Sequence, residues 1–375
     1  MELDLTEDQQ LVRETATRFI AERNPAERVR EAIEKGIRLD AADLARRAEL
    51  GWYATFVSEA FGGGSVSGVP MADAAILAEV RGAALQQDPF VEVNGAAAVL
   101  QAYGSEAQRA ALLPGIVSGT SLTAQVASGD GTWGGVARAV PGPSEWHLTA
   151  RSLLLPDCAE VEHILVVATD EATGRERYFV VPLDAPGVDV SGLETLDPTQ
   201  PLVAVTLSDV VVPRSAVVGT SGAVTYGRSV ATALAVAETV GAMTQLLTMT
   251  CEYASQRVAF GRPIGSFQAL KHLLADLSVV QESAEGVSAA ATRSASSPTD
   301  HTAEVVSLAK LHLGERAVSF AQDCLQVFGG IGFTWEHDLH LYMRRLTASA
   351  ALHGTTTFHR ECVRAHHTDQ LEAGE

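Results

Sequence analysis

Cysteines and basic residues are scarce in this sequence, and each scarcity excludes classes of protein. Four cysteines occur in 375 residues, far apart and without the paired spacing of a zinc site or a disulfide framework, so a reducing compartment is expected. Lysine and arginine number 27 against 46 acidic residues, which gives a formal net charge of -19. This balance argues against nucleic-acid binding, which needs a basic footprint, and against association with anionic membranes.

The sequence also lacks a visible targeting segment and a long uninterrupted apolar run. It opens with acidic residues rather than with a basic stretch followed by an apolar one. Its most apolar segments are interrupted by Glu, Gln, Arg or Pro before they reach the length needed to cross a bilayer. These features predict a soluble cytoplasmic protein that does not associate with a membrane.

Hydrophobic periodicity divides the chain into three segments, and 46% hydrophobic residues are enough to build several cores. Residues 1–118 have the spacing of helices, with Thr6 as a candidate cap of the first and a second stretch from Leu39 to Leu50. Residues 119–222 are short β-rich runs separated by turns, which favours an antiparallel sandwich or barrel. Residues 223–375 form four long helices with short connections, which indicates a bundle. We predict an α+β chain with these three domains.

Two long glycine-containing motifs stand in the third segment. Residues 257–268 are RVAFGRPIGSFQ, with Ser266 as a candidate helix cap, and residues 326–333 are QVFGGIGF. They resemble the Arg-x-x-Phe-Gly-x-Pro-Ile-x-x-Phe-Gln and Gln-x-x-Gly-Gly-x-Gly-Tyr/Phe motifs of the acyl-CoA dehydrogenase family. The order of helices, β domain and helical bundle is also that of the acyl-CoA dehydrogenase fold.

The resemblance implies an FAD cofactor held partly by these motifs. Arginine offers pyrophosphate a permanent charge and two hydrogen bonds, and adjacent glycines let backbone N–H groups approach a ligand. Taken singly, an arginine or a glycine pair at a helix end also fits an ordinary capping role. In the family these groups hold the FAD of a neighbouring subunit, which implies an oligomer. The candidate FAD contacts are Arg257, Phe260, Gln268, Gln326, Gly329, Gly330, Thr355, Thr123 and Ser128.

The catalytic base is where the sequence departs from the family. The family commonly carries a glutamate in a Tyr-Glu-Gly-Thr element, and His353 occupies that place in Leu352-His353-Gly354-Thr355. Some relatives place the base on the first long bundle helix, where Ala231 is the matching residue here. Glu238 lies seven residues further, on the same helical face and about 10 Å along the axis, towards the substrate cleft. Its structural alternative is a carboxylate bonded to a neighbouring helix.

The expected flavin-ring contacts also depart from the family pattern. The family's Thr-Glu-Pro-x-Ala-Gly-Ser-Asp is reduced to residues 123–130, TAQVASGD. The tryptophan segment that backs the flavin is replaced by residues 155–158, LPDC. Thr123 and Ser128 can still bond the ring, but each also fits a turn.

The resemblance implies FAD-dependent α,β-dehydrogenation of an acyl-CoA thioester, a reaction of lipid metabolism. A base removes the α-proton while a hydride leaves the β-carbon for the flavin, and an electron-transfer flavoprotein accepts the electrons. The oligomer is either a homo-oligomer or a hetero-oligomer with a homologous chain that supplies the base. A catalytically silent FAD-binding subunit and a flavin oxidase or monooxygenase of the same fold remain open.

No metal site is expected, because the histidines are scattered without a trusted ligand spacing. The scattered histidines are His312, His337, His340, His359, His366 and His367.

Overall fold

The computed structural model describes residues 5–23, 26–36, 41–128, 137–335 and 337–373, and its first part is helical. Thr6 caps the first helix as predicted: its Oγ1 accepts from Gln9 N at 3.2 Å, while Gln9 Oε1 accepts from Thr6 N at 3.2 Å. The predicted start of the second stretch, Leu39, lies outside the described residues. The helices are α1 Glu7–Arg23, α2 Ala26–Lys35, α3 Ala41–Glu49, α4 Pro70–Ala83, α5 Phe90–Tyr103 and α6 Glu106–Ser118.

The middle segment forms one mixed sheet in the order β7-β8-β4-β3-β5-β6-β9, with β1 on β5 and β2 on β4. The longest ladder is antiparallel, between β4 and β8. β1 and β3 instead run parallel to β5, so the predicted antiparallel arrangement is wrong for these strands. The strands are β1 Leu122–Gln125, β2 Ala127–Ser128, β3 Arg138–Pro141, β4 Glu145–Pro156, β5 Val161–Asp170, β6 Glu176–Pro182, β7 Val188–Gly192, β8 Leu202–Pro213 and β9 Val217–Val218.

Long helices form the last segment, and the predicted fold class is confirmed. Ser266 does not cap α8: its Oγ donates to Pro263 O at 2.7 Å, and Phe267 occupies the cap position. A two-strand hairpin, β10 Val258–Ala259 and β11 Arg262–Pro263, separates α7 from α8. The helices are α7 Ser221–Gln256, α8 Gln268–Ser296, α9 Thr302–Phe328, α10 Leu339–Ala351 and α11 Thr356–Ala373.

Helix α7 is the core of the bundle. Contrary to the sequence prediction, Gly222–Gln256 is long and apolar enough to cross a membrane, but 83% of its most apolar window is buried inside the protein. Glycines allow α4 and α7 to cross in contact, because a Cβ at Gly82 would lie 1.9 Å from Glu238 O, and one at Gly241 1.9 Å from Glu79 O. This crossing holds the Glu238 backbone against α4.

Candidate functional site

His353 is buried in the turn between α10 and α11. Its backbone is left-handed, with φ 57°, and Gly354 follows with φ 93°. His359, one turn into α11, holds this conformation: its Nε2 lies 2.9 Å from His353 O, and its Nδ1 lies 3.1 Å from Ser307 Oγ on α9. Burial lowers the pKa of His359 to about 4, against the opposing hydrogen bond to His353. The ring is therefore neutral near pH 7, and Nε2–H donates to the carbonyl.

The His353 side chain pairs with a buried glutamate on α5. His353 Nε2 lies 3.4 Å from Glu92 Oε1, and the two side chains are each 8% exposed. Glu92 Oε2 has no hydrogen-bond partner among the described residues. An imidazole next to a carboxylate can accept a proton and be stabilised as the cation, which is the arrangement of a general base. We refer to these two residues as the His353–Glu92 pair.

Helix α5 connects this pair to the first strand of the sheet. A Cβ at Gly95 would lie 2.4 Å from Gln125 Oε1 and 3.3 Å from Ala231 Cβ, so α5 packs closely against β1 and α7. Gln125 Nε2 donates to the Tyr178 hydroxyl on β6. Ala231, the residue matching the alternative base of the family, therefore lies in this same interior region.

Glu238 lies between two buried arginines rather than in an open cleft. Its Oε1 accepts from Arg345 Nη1 at 2.7 Å, and its Oε2 faces Arg81 Nη1 at 3.4 Å. This differs from the predicted orientation towards the substrate cleft. The physical reason is that the two arginine charges, on α4 and α10, hold both oxygens of the carboxylate, and helical spacing along α7 alone cannot reveal them.

The same arginines extend the ion network further. Arg81 and Arg47 both pair with Asp88, and Arg345 pairs with Asp197. Burial alone would raise the pKa of Asp88, but the charges of Arg81 and Arg47 outweigh it and lower the pKa below its ordinary value. Burial would lower the pKa of Arg345, yet Asp197 and Glu238 raise it. Three arginines thus face three carboxylates, so the buried network is matched in number of acidic and basic groups.

The two glycine-containing motifs meet at an exposed end of the bundle. Tyr253 in the last turn of α7 stacks on Phe328 at the end of α9, with ring centroids 4.3 Å apart and an interplanar angle of 19°. This contact brings the Arg257 loop beside the Gly329 loop. Phe260 is 96% exposed, and Arg257 is exposed as well. Gln268, Gln326, Gly329 and Gly330 are likewise exposed.

Comparisons with known proteins agree with this architecture. The acyl-CoA dehydrogenase N-terminal domain family matches residues 6–120, and the C-terminal domain family matches residues 225–367. The acyl-CoA dehydrogenase IpdE2 of Mycobacterium tuberculosis is 31% identical over 351 residues, covering 92% of this chain and 93% of that protein. The chain belongs to the acyl-CoA dehydrogenase family. The family and the enzyme class predicted from the two motifs are confirmed.

Solved acyl-CoA dehydrogenases share the fold. Butyryl-CoA dehydrogenase from Megasphaera elsdenii superposes with a TM-score of 0.87 at 22% identity, covering 97% of this chain and 99% of that chain. A chain of the ChsE4-ChsE5 complex from Mycobacterium tuberculosis superposes with a TM-score of 0.86 at 23% identity, covering 97% and 98%. At these identities the likeness establishes the fold alone.

The residues expected to hold the acyl-CoA dehydrogenase flavin are only partly suited to it. Thr123 Oγ1 on β1 is buried without a hydrogen-bond partner among the described residues, which fits a polar ligand atom nearby. Ser128 is buried on β2, whereas Gly129 and Asp130 lie outside the described residues. Thr355 Oγ1 accepts from Phe358 N at 3.3 Å and so caps α11.

The segment that replaces the family's tryptophan packs tightly. Pro156, Asp157 and Cys158 line, with Gln87 and Asp88, a cavity of about 10 Å³, which holds no more than one water molecule. The exposed end is different, since a Cβ at Gly329 or Gly330 would meet nothing within 4 Å. The exposed end at Gly329 and Gly330 is therefore open.

The sequence alone did not predict that Glu92 and Ser307 belong to the surroundings of His353, nor that His359 positions the His353 turn. A signal existed for Glu92, because it is a lone acidic residue in the apolar run FVEVNGAAAVL, the same feature that singled out Glu238. No local signal identifies Ser307, because it meets His359 across 52 positions. The structure also assembles His301, Glu304 and His366 into one cluster, although no metal spacing was expected.

Proposed function

We propose that this acyl-CoA dehydrogenase removes the α-proton of an acyl-CoA thioester with His353, oriented by Glu92. The observation that carries the proposal is the buried His353–Glu92 pair at the position where the family carries its glutamate. The His353 imidazole accepts the proton, and the Glu92 carboxylate stabilises the imidazolium that forms. Glu238, in contrast, serves as a structural carboxylate because both its oxygens face buried arginines.

FAD is the proposed cofactor, and it supplies the acceptor for the hydride that leaves the β-carbon. Arg257, Gln268 and Gln326 are positioned to bind the dinucleotide of a neighbouring subunit, with the backbone N–H groups of Gly329 and Gly330 beside them. Thr123 supports the ring side, because its buried hydroxyl lacks a protein partner among the described residues. The exposed Arg257 loop supports an oligomer, since these groups face out of the subunit.

The oligomer is proposed to be a homo-oligomer or a hetero-oligomer with a homologous acyl-CoA dehydrogenase chain. An electron-transfer flavoprotein is the proposed acceptor, and a cytoplasmic location remains a prediction. The three domain bounds, 1–118, 119–222 and 223–375, also remain predictions.

The test compares three variants of the untagged chain, prepared alone and with a homologous partner where one copurifies. Flavin content is read by visible absorbance, and reduction by a panel of acyl-CoAs is followed as bleaching. His353→Gln and Glu92→Gln should each slow bleaching, by about 10²–10⁴-fold for His353, which is the usual contribution of a general base. Glu238→Gln, assayed in its folded fraction, should bleach at a rate near that of the unmodified chain. Unchanged bleaching in His353→Gln would contradict the proposal.

A second candidate function is a catalytically silent FAD-binding subunit. It is supported by the lack of a carboxylate at both base positions of the family, which are His353 and Ala231 here, while Arg257 is retained. The isolated chain would then hold little flavin and show no bleaching, while a homologous partner would restore both. In that case Arg257→Ala should reduce activity of the complex and His353→Gln should not. Oxygen consumption without an added acceptor would instead identify a flavin oxidase or monooxygenase.

A further inference from the structure

Three metal-ligating side chains meet between α9 and α11, outside the His353–Glu92 pair. His301 precedes α9, Glu304 lies in its first turn, and His366 lies on α11. His366 Nε2 is 3.1 Å from His301 Nδ1 and 3.1 Å from Glu304 Oε2. His301 Nδ1 is 3.5 Å from Glu304 Oε2. We refer to these three residues as the His301–Glu304–His366 cluster.

The spacing of the three atoms matches one face of a tetrahedral metal site. Nitrogen and oxygen ligands about 2.0–2.1 Å from a tetrahedral ion lie about 3.3 Å from one another. The three observed separations, 3.1, 3.1 and 3.5 Å, bracket that value. A protein N₂O ligand set leaves the fourth position for water and is typical of Zn²⁺.

A fourth side chain fixes the carboxylate. His367 Nε2 lies 2.9 Å from Glu304 Oε1, the oxygen that does not face His301 and His366. Glu304 is 13% exposed, whereas His301 and His367 are 60% and 59% exposed. The carboxylate is therefore held in place while ions can enter from solvent. Outer partners of this kind orient ligands and strengthen metal binding.

We propose that His301, Glu304 and His366 bind one divalent transition-metal ion, with Zn²⁺ as the favoured ion. The bound ion joins the start of α9 to α11. Helix α11 also carries His359, seven residues before His366, and His359 holds the His353 turn. The ion therefore stabilises the helix on which that turn depends. This site is independent of the proposed acyl-CoA chemistry, since none of its three ligands belongs to that site.

The experiment uses the full chain without a histidine tag, cleared of metal by a chelator. Zn²⁺ is titrated by calorimetry at about pH 7.5, where histidine is mostly neutral. Co²⁺ is added separately, and its visible absorption reports tetrahedral coordination. We expect one saturable equivalent, lost in His301→Ala and His366→Ala, and about tenfold weaker binding in His367→Ala. His312→Ala, which removes another partly exposed histidine of α9, should bind as the unmodified chain does.

Two outcomes overturn the proposal. One is the absence of saturable Zn²⁺ binding, and the other is binding that survives both ligand substitutions. Circular dichroism checks that each variant is folded. If a variant does not fold, His301→Asn is used in its place, because His301 lies outside the helices at an exposed position. Thermal unfolding with and without Zn²⁺ gives an independent readout: the unmodified chain should gain stability and His366→Ala should not.

Discussion

Glu92 and Glu238 are two buried glutamates on apolar helices, and their surroundings differ. Glu238 on α7 places one oxygen on Arg345 and the other towards Arg81. Glu92 on α5 places one oxygen 3.4 Å from His353, and its other oxygen has no hydrogen-bond partner among the described residues. The sequence shows the same feature at both positions, a lone carboxylate in an apolar run.

The difference indicates what turns a buried carboxylate into a structural or a reactive group. Two permanent arginine charges face the two oxygens of Glu238 and leave neither oxygen for substrate chemistry. Glu92 faces an imidazole, which carries no such permanent charge. The ion network therefore holds helices together, whereas the His353–Glu92 pair is the proposed catalytic base.

The largest expected effect is a difference between Glu238 and Glu92 in how much their substitution lowers the free energy of unfolding. Glu238→Gln leaves Arg81 and Arg345 short of one buried charge, which should lower the free energy of unfolding by about 3–5 kcal/mol. Glu92→Gln removes a desolvated carboxylate whose partner can become neutral, so its loss should stay near about 1 kcal/mol. Urea denaturation of both variants measures the contrast. Equal losses would remove the distinction between a structural and a reactive glutamate.

A comparable effect on the free energy of unfolding is expected from Lys310, a buried lysine of α9. Its Nζ donates to the carbonyl of Ser349 rather than pairing with an acid of the ion network. Burial lowers its pKa to about 7. Between that pH and about 10.4, the ordinary pKa of lysine, the unfolded chain binds the proton and the folded chain does not. Stability should therefore rise with pH across this window. Lys310→Met should remove about 4–5 kcal/mol of this rise.

Chemical denaturation at several pH values between these limits tests the prediction. Lys271→Met, at an exposed position on α8, is the matched control and should keep the pH dependence of the unmodified chain. A rise of the same size in Lys310→Met would show that Lys310 is charged in the folded protein.

A weaker pH dependence of stability is expected below neutral pH, and it is caused by His359. Its pKa falls to about 4 because of burial, below the ordinary value of about 6.5. As pH falls from 6.5 towards 4, the unfolded chain takes up the proton first, so stability declines. His359→Gln should remove about 3 kcal/mol of this decline. It should also slow flavin reduction, because the His353 carbonyl loses a fixed donor. Stability that declines equally in the variant would exclude His359 as the cause.

The sequence predicted the helices, the β runs and the fold class, because hydrophobic period and caps such as Thr6 are local features. It also singled out Glu238 and His353 as candidate bases and the two exposed motifs as candidate FAD contacts, and these roles stay predictions. It did not predict the arginines around Glu238, since Arg81 is 157 positions away and Arg345 is 107 positions away. Glu92, Ser307 and the His301–Glu304–His366 cluster were missed for the same reason. Partners brought together by tertiary packing decide what each polar residue does.

The smallest expected effect on stability is at the exposed end of the bundle. There, aromatic stacking rather than buried charge holds the two glycine-containing motifs together. Tyr253→Leu removes the stack on Phe328 and should cost about 1 kcal/mol of stability. Tyr253→Phe keeps the ring and should stay within about 0.5 kcal/mol of the unmodified chain. Because the stack aligns the Arg257 and Gly329 loops, the leucine variant should also hold less flavin, while bleaching of the flavin that remains should keep its rate. A slower rate with full flavin content would instead connect this end to the His353–Glu92 pair, and the two regions would no longer be separable.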